Sequence, residues 1–158
     1  MKINTKVELG IVALTDIAVH SENGESVRSS DIADRQNISQ KYLEQILLGL
    51  RQGKFVKAQK GIHGGYQLSR PADRIMLCDI LNTLDNNILA NTYEPDDKQP
   101  DGIRASVNNC LWSNLNSYMR NFIEDMTLAD LIKEYKESSA KERIICTTFR
   151  KGRKVKCH

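Results

Sequence analysis

Along the first half of the chain, apolar residues return at helical intervals and polar residues fill the gaps. Val7, Gly10, Ile11, Leu14, Ile17 and Ala18 share one face, which predicts a first helix over 7–20. Asn23-Gly24 then reads as a turn. A second helix is expected to run to about Gln36, with Ser29 or Ser30 as its cap, because a small polar side chain there accepts otherwise unpaired backbone amides. Asn37-Ile38-Ser39 makes a short connection in which Ile38 suits a buried position. Ser39 caps a longer helix to about Gln52. In it Leu43, Ile46, Leu47 and Leu50 fall at i, i+3, i+4 and i+7, so Gln40, Lys41, Glu44, Gln45 and Leu48 point elsewhere. Gly53 ends it.

The period then changes from helical to alternating. Residues 55–60 suit a strand, the run Gly61-Ile62-His63-Gly64-Gly65 turns the chain, and Tyr66-Gln67-Leu68 returns it. A hairpin of this kind calls for positive φ at Gly64 or Gly65. Pro71 closes the unit, and a further helix is predicted over 77–84. Helix, tight turn, helix and glycine-broken hairpin, in that order, form the pattern of a winged helix-turn-helix. The usual work of that shape is to set one helix in a DNA major groove.

The second half is organised differently. Residues 85–105 are polar, contain Pro95 and Pro100, and read as a long loop. Leu111, Leu115, Tyr118, Phe122 and Met126 follow as a narrow apolar seam on a long helix, a pattern that suits pairing with a second copy. Thr127 is expected to cap a short helix through Leu131, Ile132 and Tyr135. The fold class expected is therefore mainly α: a winged helix-turn-helix with a small β-hairpin wing and a long C-terminal dimerisation helix. Its parts are a DNA-binding domain (1–84), a sensor-region loop (85–107), the dimerisation helix with a short helix after it (108–136), and a disordered basic tail (137–158).

Charge sharpens this division. The 158 residues carry a formal net charge of only +3, which permits nucleic-acid binding without demanding it. Lys41, Arg51, Lys54, Lys57, Lys60 and Arg70 gather in the candidate DNA-binding unit, while Asp85, Glu94, Asp96, Asp97 and Asp101 load the segment after it. No apolar run approaches a membrane span and no secretory cleavage pattern follows Leu14, so the expected location is cytoplasmic. An enzyme is not expected, and no catalytic residue is assigned. The histidines are His20, His63 and His158, and no Ser–His–Asp or Cys–His arrangement has convincing spacing. The glycine turn is not an NTP-binding loop, because no Lys-Ser or Lys-Thr follows it.

Several runs in this order resemble the Rrf-two family of bacterial transcription regulators. They are Met1-Lys2-Ile3-Asn4-Thr5-Lys6, the run from Ile38 to Gln45, Leu50-Arg51 with Val56, the wing from Lys60 to Tyr66, Leu111-Trp112, and Thr127 to Leu131. The resemblance implies a homodimer whose crossed C-terminal helices hold two winged helices on a palindromic operator in double-stranded DNA, most often as a repressor. It implies that Ser39, Gln40, Lys41, Tyr42, Glu44 and Gln45 face the major groove, with Arg51 among the DNA contacts. Lys60 and the His63-Gly64-Gly65 turn would reach backbone and minor groove. Chemically, Gln45 can pair with adenine through two hydrogen bonds, and Glu44 can accept from a cytosine amine.

The resemblance also raises an iron–sulfur cluster, held in many members by three cysteines in the loop before the long helix. Here residues 86–109 contain no cysteine, and Cys110 stands alone beside Leu111-Trp112. Asn109 occupies a place where some members carry histidine, and Glu8 one where certain members donate a carboxylate to the partner subunit's site. A conventional cluster is therefore not expected, and any metal ligand set stays undefined. The favoured reading is a cluster-free regulator, signalled through a metabolic enzyme or a small-molecule effector. One alternative is a redox thiol or an unusual cluster at Cys110, completed by Glu8, Cys146 or Cys157. Cys110 equally suits a small buried hydrophobe. A second alternative, of another class, is a winged-helix protein-interaction module without DNA binding. Cys78 is expected in the core, and Trp112 between the long helix and the first. Cys146 and Cys157-His158 match no zinc spacing.

Overall fold

The computed structural model describes residues 4–21, 24–61, 64–85 and 102–152, and for 141–152 the backbone alone. The first helix, α1 (Thr5–His20), starts one half-turn earlier than its apolar period suggested. Asn4 caps it by accepting a hydrogen bond from the Lys6 amide at 3.0 Å. In α2 (Ser29–Gln36) the expected serine cap is absent: Arg28 holds the cap position with no side-chain cap bond, and Ser30 Oγ donates to Asp31 instead. Asn37 then adopts a left-handed conformation, φ 52°, and Ile38 buries its side chain while its amide bonds back to Ala33. Asparagine tolerates that conformation better than most residues, which is why the turn can be so tight. Helix α3 (Gln40–Gln52) follows, capped by Ser39 as expected.

These helices close around one core. Leu43, Ile46, Leu47 and Leu50 of α3 meet Val7, Leu14 and Ile17 of α1 and Ile80 of α4 (Leu77–Leu84), all without exposed surface. Gly10 lets α1 pack closely here, since a Cβ there would force Leu84 Cδ1 to shift. Gly53 caps α3, but its φ of −72° is ordinary. The left-handed residue is Lys54, at φ 58°. Gly53 is needed for space: a Cβ there would lie 2.7 Å from both the Phe55 ring and Thr83 Cγ2.

Strands β1 (Val56–Gln59) and β2 (Gly65–Leu68) pair antiparallel, with Val56 opposite Leu68 and Gln59 opposite Gly65. The strand is shorter than its alternation suggested: the Phe55 carbonyl still accepts from the Ser69 amide, but its own amide donates back to the Leu50 carbonyl and its ring enters the core. Val27 adds a single bridge on the other side of β2: its amide donates to the Tyr66 carbonyl, and the Tyr66 amide donates to its own.

The later half departs most from expectation. Helix begins inside the expected loop, as α5 (Ile103–Val107); residues 86–101 lie outside the described residues. A five-residue π-helical turn, Asn108–Trp112, joins α5 to α6 (Ser113–Glu124). Met126 falls beyond α6 and packs, half-buried, against the chain's own core, so it leaves the expected dimerisation seam. Its carbonyl accepts the Leu77 amide, and the Leu128 amide bonds to Ile75, which fastens the start of α7 to α4. Helix α7 (Leu128–Gly152) does not stop near Tyr135, and the backbone expected to be disordered from Glu137 is helical to Gly152. Residues 153–158, with Cys157 and His158, lie outside the described residues.

Candidate nucleic-acid interface

Helix α3 is divided cleanly between two environments. Its apolar stripe is fully buried, and Gln40, Lys41, Glu44, Gln45, Arg51 and the cap Ser39 are exposed, with Tyr42 half-buried at the edge. A Gln40 Nε2 to Glu44 Oε1 bond of 3.3 Å links two side chains on the exposed face. Amides, a carboxylate and an ammonium group presented together supply both donors and acceptors, the requirement for reading base edges.

What aims this helix is a buried carboxylate that the sequence did not single out. Asp16 lies on α1 with its side chain fully buried. Arg35 grips it with two bonds, Nη2 to Oδ1 at 2.6 Å and Nε to Oδ2 at 3.1 Å, and Gln36 Nε2 donates to Oδ2 at 2.7 Å. His20 Nδ1 lies 3.4 Å from Oδ1 and 2.8 Å from the Asp16 carbonyl oxygen. A buried charge is tolerable only when paired and hydrogen-bonded in this way. The hydrogen bond to Asp16 holds the Arg35 guanidinium above its already high ordinary pKa. The clamp seizes the last turn of α2, immediately before Asn37, and so fixes where α3 begins. The residue types gave a weak signal at most: an acid inside an apolar helical period, with an arginine on the next helix.

The wing stands beside α3. Gly61 carries the positive φ, 116°, and neither Gly64 nor Gly65 does. Those two are required by crowding: a Cβ on Gly64 would lie 2.6 Å from the Gln59 carbonyl oxygen, and one on Gly65 2.5 Å from that of Val27. Lys60 is exposed at the wing's end, and His63 lies outside the described residues. An open cleft of about 400 Å³ separates the wing from the start of α2, lined by Arg28, Ser29, Ser30, Gly64, Gly65 and Tyr66 among others.

Behind this unit, α5, the π-turn and α6 carry an uncovered apolar stripe: Ile103, Val107, Leu111, Leu115, Tyr118 and Phe122 are all exposed. Trp112, expected between helices, is also exposed. The stripe advances mainly in steps of four, each overshooting an α-turn by about 40°. The wider π-turn takes up that drift and keeps its two halves in line. Asn108 is buried there, donating to Ser113 Oγ at 3.2 Å, and Asn114 donates to the Cys110 carbonyl at 2.9 Å.

Among the described side chains, the candidate donors do not gather into a cluster site. Cys110 is exposed on the π-turn, Cys78 is half-buried on α4 rather than in the core, and Glu8 is exposed in the first turn of α1. Among the described residues, no three His, Cys, Asp or Glu side chains converge as metal ligands. The described residues also contain no helix long and apolar enough to cross a membrane.

A buried-backed, polar-faced helix set after a tight turn and flanked by a hairpin defines a winged helix-turn-helix DNA-binding regulator. Comparison with known proteins gives the family. Residues 3–134 match the Rrf2 family, described as an iron-dependent transcriptional regulator. The HTH-type transcriptional regulator IscR of Cereibacter sphaeroides is 36% identical over 136 residues, spanning 84% of this chain and 88% of that protein. CymR, the global cysteine regulator of B. subtilis, superimposes with a TM-score of 0.71 at 28% identity, covering 85% of this chain and 98% of that one. IscR of T. potens gives 0.69 at 30%, covering 87% and 90%. The chain belongs to the Rrf2 family and is a DNA-binding transcriptional regulator, not an enzyme.

Proposed function

We propose that this regulator acts as a homodimer on a palindromic operator, as a repressor, with α3 of each copy in a major groove and the wing on the adjoining backbone. The observation that carries this reading is α3 itself, whose polar exposed face backs onto a stripe with no exposed surface. Rigid backing matters because base contacts discriminate only when their donors are held in register. Ser39, Gln40, Lys41, Tyr42, Glu44 and Gln45 supply the major-groove contacts, Arg51 and Lys60 the phosphate contacts, and His63-Gly64-Gly65 the approach to the minor groove. The seam of Leu111, Leu115, Tyr118 and Phe122 joins the copies. Gln45→Ala should weaken binding to a selected operator about tenfold or more and leave binding to unrelated DNA nearly unchanged. Equal losses on both duplexes in salt-matched gel shifts would remove Gln45 from the reading set.

The signal does not pass through a three-cysteine cluster. Four cysteines are present in all, and only Cys110 lies between 86 and 112. A cluster-free mode, with a metabolite or enzyme as effector, fits this donor set and the likeness to CymR. Protein purified without oxygen should be colourless. A visible chromophore lost in Cys110→Ala would overturn that mode in favour of an unusual site at Cys110.

A further inference from the structure

One residue on the exposed face of α3 does not match its surroundings. Lys41, Glu44, Gln45 and Gln52 are polar, and Leu48 stands among them with 49% of its surface exposed. Its position is central to that face. At about 100° per residue, Leu48 lies about 20° from Lys41, between Glu44 and Gln45, and about 150° from the middle of the buried stripe. At about 1.5 Å per residue it sits roughly 10 Å further along the axis than Lys41, within the span of one groove contact. The interior needs nothing from it, since Leu43, Ile46, Leu47 and Leu50 already close that side.

We propose that Leu48 determines specificity by reading the C5 methyl group of a thymine in the operator. The proposal rests on α3 being the helix in the major groove. A leucine has no donor or acceptor, so it gains nothing from base amines, carbonyls or phosphates. The thymine methyl is the apolar feature that base edges present in the major groove. A cytosine at the same point would set its amine against the leucine, losing water without gaining a partner. One side chain thus favours thymine and disfavours cytosine.

The test uses the full chain and a duplex it has itself selected from a random-sequence library. Each thymine is replaced in turn by deoxyuridine, which removes only the methyl group. For the unmodified protein, at least one replacement per half-site should weaken binding roughly threefold to fivefold, the scale of burying one methyl group. In Leu48→Ala that replacement should cost nothing, while Leu48→Met, still apolar and of similar reach, should keep the penalty. A penalty undiminished in Leu48→Ala, or no methyl-sensitive position at all, overturns the proposal. Gln45→Ala separates this from the larger reading. If it lowers specific affinity while the deoxyuridine pattern ignores Leu48, α3 still reads the groove and only the leucine assignment falls. If neither variant alters binding, the placement of α3 falls as well.

Discussion

Two apolar stripes with similar spacing meet opposite fates in this protein. On α3, Leu43, Ile46, Leu47 and Leu50 are sealed inside the winged-helix unit. On the late helix, Tyr118 and Phe122 remain 75% and 73% exposed, and the seam continues uncovered to Ile103. Periodicity therefore specifies a face and says nothing about what covers it. The first stripe is delivered by tight turns onto α1 and α4. The second lies about a quarter-turn from the flank of α6 where Ile123 packs on the core, and an apolar strip of that extent awaits another surface.

The sharpest way to break this contrast is to charge the second stripe. Phe122→Glu should yield a monomer by sedimentation and lower operator affinity by about 100-fold or more, because the two reading heads lose their shared tether. Far-UV dichroism should stay helical. A variant that still dimerises and binds normally would take the seam out of the interface. Asp16→Ala attacks the other region: it orphans Arg35 and Gln36 and should destabilise the fold by about 2 to 3 kcal/mol in urea. That is less than a fully buried pair would lose, because Arg35 is one-third exposed. Dimers should persist, and a loss under about 0.5 kcal/mol would show that the clamp does not hold α2 to α1. The smallest effect is at the seam between the regions. Thr127 donates from both its amide (2.8 Å) and its hydroxyl (2.7 Å) to Asp130 Oδ2, and these bonds lower the Asp130 pKa. A depressed carboxylate stabilises the fold above its unfolded pKa of about 4 and loses that contribution as pH falls through the folded value. Asp130→Asn should flatten the acid limb of stability below about pH 4, and an unaltered limb would discount the cap.

Much of the reading unit was legible because its elements are local. Residues 77–84 and the stripe of α3 follow from spacing alone, and Ser39 from its capping chemistry. The glycines were legible as a turn but not in their reasons, since crowding at Gly64 and Gly65 depends on Gln59 and Val27. Nothing local marks Asp16 as a buried clamp, because its partners Arg35 and Gln36 lie on another helix. The family resemblance pointed to the right regulator class, while the helical extent of the late half escaped periodicity, which carries no mark for a widened turn or for where α7 ends.

That widened turn has a mechanical consequence. It works as a slipping joint between two stretches of shaft, each wound at the standard pitch. Tightening it would swing Ile103 and Val107 around the axis relative to Phe122, and the buried Ala105 and Asn108 would have to move with them. Cys110 and Trp112 sit on that joint with their side chains in the open, so a change in fit there would turn the two halves of the exposed stripe against each other.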